Sequence, residues 1–221
     1  DCQRGKGVGV MLVSCFCRLV GLHIARVASR PLFENPSGAS GPGAPISYHL
    51  ISEGGLLPHC ADAGLQLTES HVRAAYGRGD LCVAAFDGDY LVGYQWFAFG
   101  PTPHVDGVWV DFNTSVRYGY KQFVRPEYRG RHIAAGLSTH CDRTCVQRGC
   151  LRTVSFIDLE NDASWRATSR LGSRAVGYAG YVSLFGLFFA FRPAGPRGFG
   201  FRFYVPVPAA CSGPVWCWSE C

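Results

Sequence analysis

Three arginines crowd one short segment: Arg125, Arg129 and Arg131 fall in V-R-P-E-Y-R-G-R-H-I-A-A-G-L, Val124–Leu137. Guanidinium groups carry a permanent charge and a fork of donors that matches phosphate or carboxylate oxygens. Immediately downstream, Ile133, Leu137, Cys141 and Cys145 recur every four residues and draw an apolar stripe with helical period. A helix beginning there turns unpaired N–H groups and partial positive charge toward the arginines. The combination is an anion site, most simply for phosphate. The plainer reading is a basic helix start after a proline turn.

The flanking elements must hold that turn in place. Val116–Val124 alternates as a strand and ends at Arg125-Pro126, because the residue before proline favours extended geometry. Gly149 stops the helix, and Leu151–Asp158 (L-R-T-V-S-F-I-D) reads as another strand. Strand, helix and strand then form a βαβ unit with parallel strands and a right-handed crossover. Upstream, Thr68 or Ser70 caps a short helix, and Asp87-Gly88-Asp89 turns a hairpin between Leu81–Phe86 and Tyr90–Phe99. Gly93 marks a bulge or a close approach. Val108–Phe112 is a short strand, Glu160–Leu171 is helical, and Ala175–Phe191 holds two more strands around Gly180 or Gly186.

The basic turn resembles the acyl-CoA-binding motif of the GNAT superfamily of N-acyltransferases, Arg/Gln-x-x-Gly-x-Gly/Ala, read here as Arg129-Gly130-Arg131-His132-Ile133-Ala134. His132 stands where the family has its inner glycine. The family's second pattern, Asn-x-x-Ala/Ser before a helix closing on Lys/Arg-x-Gly, is similar to Asn161-Asp162-Ala163-Ser164 and Arg170-Leu171-Gly172. The order of elements agrees from about Leu67 to Phe191. The resemblance implies an α/β fold: a GNAT-like mixed, centrally splayed β-sheet flanked by helices.

It further implies acyl transfer, most simply of acetyl, from CoA to a primary amine by direct attack in a ternary complex. Acetyl-CoA or a longer acyl-CoA would lie between the two strands, its pantetheine arm on the backbone of Phe123 and Val124. The pyrophosphate would meet Arg129, Gly130 and the N–H groups of Arg131, His132, Ile133 and Ala134. The N–H of His132 serves if its φ is negative; its side chain either narrows the site or faces solvent. Asn161 and Ser164 would bond the pantetheine arm, unless Asn161 is an ordinary helix cap.

Direct attack needs a base for the amine proton and an acid for the leaving thiolate. Asp158 ends a strand at the cleft side of a parallel sheet, where ligands collect, and is the preferred base; Glu127 follows, then Glu160 and His132. Thr168 occupies the position of the tyrosine acid found in many family members, with Tyr118, Tyr120, Tyr178 and Tyr181 as substitutes. The alternative is a catalytically degenerate member that binds acyl-CoA or a protein partner. The acceptor is a small-molecule or a protein amine.

Composition sets outer bounds. The 221 residues are 48% hydrophobic and 17% charged, with a net charge of +5, which fits a globular chain. Scattered arginines and the lack of a recognised motif argue against a nucleic-acid partner. The 11 cysteines lack the paired C-x-x-C spacing of a zinc site, so the central ones read as small buried hydrophobes. A secreted, disulfide-framed binding protein is the remaining reading for the cysteine-rich ends. Residues 1–30 form an apolar, basic lead-in, and 31–45 a Pro/Gly/Ser linker. Residues 46–191 form the acyltransferase domain, and 192–221 a Pro/Gly/Cys/aromatic tail with an edge strand near Phe199–Val205. No membrane span is expected, since charge interrupts Val8–Ala25, and the expected location is cytoplasmic.

Overall fold

Strand-forming segments recur through the chain, and each is brought into register by the alternation of its side chains. The computed structural model describes residues 21–32, 46–105, 107–184 and 187–206. In chain order the strands are β1 (Leu22–Pro31), β2 (Ser47–Ile51), β3 (Leu81–Asp87), β4 (Tyr90–Ala98), β5 (Thr102–Pro103) and β6 (Trp109–Asp111). There follow β7 (Val116–Val124), β8 (Arg152–Asp158), β9 (Arg174–Leu184), β10 (Leu187–Phe191) and β11 (Arg202–Tyr204). The helices are α1 (Glu53–Leu56), α2 (Glu69–Gly77), α3 (Ile133–His140), α4 (Asp142–Gln147), α5 (Asp162–Arg170) and α6 (Ala194–Arg197).

Eight strands make one sheet in the order β10-β9-β1-β8-β7-β4-β3-β2, and β11-β6-β5 make a smaller one. The β7–β8 pair is parallel, as the βαβ reading requires, and the other neighbours in the large sheet are antiparallel. Helix α3 packs on β4, β3, β7 and β2. It buries Ile133 and Leu137, each worth roughly 1.5–3 kcal/mol on removal from water. The opposite face carries α2, capped by Thr68 accepting from the His71 N–H, and the smaller sheet, whose Val110 and Phe203 join a core with Val27, Tyr118 and Val154.

Two expectations need correction. Leu22–Pro31 is no lead-in: β1 lies between β8 and β9, pairing with both. The ordered domain therefore begins before Ile46 and extends past Phe191 to β11, which pairs with β6. Alternation of Ala25, Val27 and Ser29 is the signal for this strand in the sequence, and it runs straight on from the apolar residues before it. Residues 33–45 of the linker, 1–20 of the lead-in and 207–221 of the tail lie outside the described residues.

The single helix expected from Ile133 to Gly149 is instead α3 and α4, broken at Cys141. A buried ionic cluster accounts for the break. The Ser138 carbonyl accepts from both Arg30 (3.0 Å) and Arg117 (2.6 Å), and the fully buried Asp142 pairs with both guanidiniums. Arg117 also donates to the Cys141 sulfur at 2.7 Å. Cys82, Cys141, Cys145 and Cys150 are free and buried, as expected of small hydrophobes.

Candidate active site

The opening in the large sheet comes from strand pairing that stops early. β7 and β8 share the partners Val116↔Arg152, Arg117↔Thr153 and Tyr118↔Val154. Beyond them β7 stays with β4 while β8 stays with β1. At the same level β7 carries a bulge: its register on β4 shifts between Gln95 and Trp96, and Lys121 has φ of 40°. A bulge bends its strand, so β7 swings from β8 and leaves a V open toward both C-terminal ends. Gly93 lets β4 follow closely, since a Cβ there would sit 2.8 Å from the Phe123 carbonyl oxygen.

The basic turn lies at one mouth of the V. Arg129, Gly130, Arg131 and His132 are all exposed, and the Arg129 Nε donates to the Val124 carbonyl at 3.2 Å. Arg131 lies over the Tyr128 ring, which is itself held by a hydrogen bond to Asp87. Arg125 has another task, donating to Asp62 and to the Leu91 carbonyl, so it anchors the turn from below. His132 departs from expectation: its φ is +61°, as left-handed as the +82° of Gly130. Left-handed residues on either side of Arg131 turn successive N–H groups into one concavity, which suits an anion. They also place the first turn of α3, with Ile133 and Ala134, directly behind it.

Because histidine tolerates the left-handed region better than most residues but still bears a Cβ, His132→Gly removes a penalty of roughly 1–2 kcal/mol. Glycine's freedom in the unfolded chain offsets about 0.5–1 kcal/mol of that. The expected result is a small stability change with CoA affinity kept or improved, measured by thermal melting and calorimetry. A marked loss of affinity would show that the imidazole, rather than the backbone, makes the contact.

The other face of the V is aromatic. Tyr118 stacks on Tyr120 at 5.7 Å and on Phe156 at 5.8 Å, so the row crosses from β7 to β8. Tyr120 donates to Asp80 at 2.7 Å, and Arg78 holds the same carboxylate. Burial, with Asp80 adding to it, pushes the Tyr120 hydroxyl well above its usual value; burial does the same to Tyr118. Both stay protonated but are weak acids for a thiolate. Tyr178 and Tyr181 lie on β9, beyond β1. His71 packs edge-on against Trp96, its Nε2 buried without a hydrogen-bond partner among the described residues. Burial, aided by Lys121 and Arg78, lowers its pKa to about 4.

Asp158 closes β8 on the aromatic face, its side chain 56% exposed. His23, on β1, brings its Nε2 to 3.4 Å from the Asp158 carboxylate, close but not aligned as a hydrogen bond. No motif flagged His23, because its strand was unrecognised. Glu127 lies exposed in the turn Pro126–Tyr128, near the basic turn. Asn161 accepts from the Ser164 N–H at 3.0 Å and so caps α5, which leaves its amide N–H groups for other use. Thr168 lies within α5.

A parallel pair parted next to a bulge, with a basic turn at one side and an aromatic face at the other, is the arrangement these strands present. Residues 57–173 match the Acetyltransferase (GNAT) family, more than half of the 221-residue chain, and the chain belongs to that family. Solved structures share its fold, two of which follow. One is a GCN5-related N-acetyltransferase from Sphaerobacter thermophilus (15% identity, TM-score 0.51), with 79% of this chain and 67% of that one covered. The other is the glucosamine N-acetyltransferase region of a fungal multi-domain GH3 beta-N-acetylglucosaminidase (15%, TM-score 0.50), with 83% and 23% covered. No curated protein sequence matches the chain. Among the described residues, no helix is long and apolar enough to cross a membrane.

Proposed function

We propose that the protein moves an acyl group, in the first instance acetyl, from CoA to a primary amine by direct attack in a ternary complex. The observation that carries this reading is the parting of β7 and β8 beyond Tyr118 and Val154, with the basic turn at its mouth. The freed edge of β7 supports a role for Phe123 and Val124 in pairing with the pantetheine amides. Arg129, Gly130 and the N–H groups of Arg131, His132, Ile133 and Ala134 suit the pyrophosphate, and the Asn161 amide with Ser164 suits the arm between. Asp158 faces the side from which an amine would approach and is favoured as base over Glu127, which lies nearer the phosphate end. The thiolate is a stable enough leaving group to be protonated by water, which makes Thr168 compatible with turnover. The acceptor is read as a small-molecule amine before a protein one.

The test is binding of CoA together with thiol release from acetyl-CoA across a panel of amines. Saturable binding with amine-dependent release is expected. Binding without release would favour the non-catalytic reading, to which the short Thr168 hydroxyl also points. Absence of CoA binding would overturn transfer and acyl-CoA binding together and leave only the protein-partner reading.

A further inference from the structure

We infer that the protein binds an organic phosphate at a second place, the closed end of the large sheet, where Arg152 and Arg174 supply the donors. The inference goes beyond the transfer reading and does not depend on it. A cavity of about 390 Å³ lies there, its wall including Ser29, Arg30, Pro31, Arg152, Leu171 and Arg174 and no carboxylate. It adjoins the first residue of β8, where β7 and β8 are still paired through Val116↔Arg152. The basic turn follows the other end of β7. Nine residues of strand hold those two ends roughly 25 Å apart.

Register brings the two arginines together. Ser29 of β1 pairs with Arg174 on one side, and Pro31, two residues on, pairs with Arg152 on the other. Paired residues, and residues two apart on one strand, share a face. Both side chains therefore rise beside Ser29 from strands about 10 Å apart, within reach of one ligand. Half-buried Arg152 is oriented: its Nε donates to the buried Ser29 hydroxyl at 3.0 Å, and its guanidinium carbon lies 5.9 Å from the Phe199 ring. The terminal nitrogens of Arg152 and the exposed side chain of Arg174 have no partner among the described residues. Arg30 lines the floor with its fork turned to Asp142 and the Ser138 carbonyl, which leaves the bonding to the other two.

Donor number and charge select the ligand. Two guanidinium forks match a group that presents three oxygens and nearly two negative charges. A phosphate monoester does so at neutral pH and a carboxylate does not. The cavity is larger than a phosphate group, and Pro31 and Leu171 give it apolar wall for a short organic body.

The test is calorimetric titration of the full chain with phenyl phosphate, with inorganic phosphate and benzoate as comparison probes. Phenyl phosphate is expected to bind saturably and more tightly than either comparison probe. Its binding should tighten as pH rises through about 6, where the second phosphate proton leaves. Arg174→Gln, at an exposed position, and Arg152→Gln are each expected to weaken it by roughly 10–100-fold, the loss of hydrogen bonds to a charged group. The Arg129→Glu/Arg131→Glu double variant, altered only at the basic turn, is expected to retain it. No saturable binding, or affinity unchanged in Arg174→Gln, overturns the site. Loss of binding in the double variant overturns it too, by moving the phosphate to the basic turn. Benzoate bound as tightly overturns the choice of phosphate. Should Arg152→Gln not fold, Arg174→Gln decides alone. Each outcome is read without CoA, so the transfer reading stands or falls separately.

Discussion

Asp142→Ala is expected to cost about 3–5 kcal/mol of stability, the usual penalty for removing one member of a buried ion pair. Both partners lose their counter-charge at once: Arg30 is 1% exposed and Arg117 fully buried. Neither guanidinium can deprotonate to escape. Urea unfolding should show the midpoint moving down with an unchanged slope. Hydrogen exchange should open first along Ala25–Ser29, because Arg30 fastens β1 to the helix break at Ser138 and Asp142. Asp111→Ala is the control. Its ion pair with Arg202 is partly solvated, so about 0–1 kcal/mol is at stake. Equal effects from the two changes would mean that the buried cluster does not hold β1.

Charge reversal at the basic turn gives the second large effect. Arg129→Glu and Arg131→Glu are each expected to weaken CoA binding by about 1–3 kcal/mol, the worth of a hydrogen bond to a charged group. The double variant exceeds either one. Both side chains are exposed and lie outside the core, so melting should barely change. Arg125→Ala separates local charge from architecture: with its donors committed to Asp62 and Leu91, its loss should lower stability more than affinity. Calorimetric titration with CoA checks all four, and undiminished affinity in both reversals would remove the phosphate from this turn.

What could be read from the chain followed from local pattern. The β3–β4 hairpin, the βαβ unit through α3 and the cap at Thr68 each rest on a few consecutive residues, and the structure has them where the alternation and turn residues placed them. Two things escaped. The break at Cys141 depends on Arg30 and Arg117, which are remote in sequence and meet Asp142 only in the folded sheet. The left-handed backbone of His132 is likewise set by the turn around it and not by residue type. Of the candidate site, the basic turn was legible because it is one contiguous motif. The aromatic side was not, since His23 on β1, His71 on α2 and Asp80 in the turn before β3 share no contiguous motif.

The insertion of β1 between β8 and β9 has a consequence for biosynthesis. Residues 22–31 leave the ribosome long before 152–184, so β1 waits for both of its neighbours while more than 120 residues are added. Until then both hydrogen-bonding edges of β1 are bare, and closing such distant contacts is slow. The waiting strand is open to the equivalent slot of another nascent chain, an exchange that would couple two molecules through native pairing alone. Expression yield should accordingly depend on the pace of translation across β8 and β9.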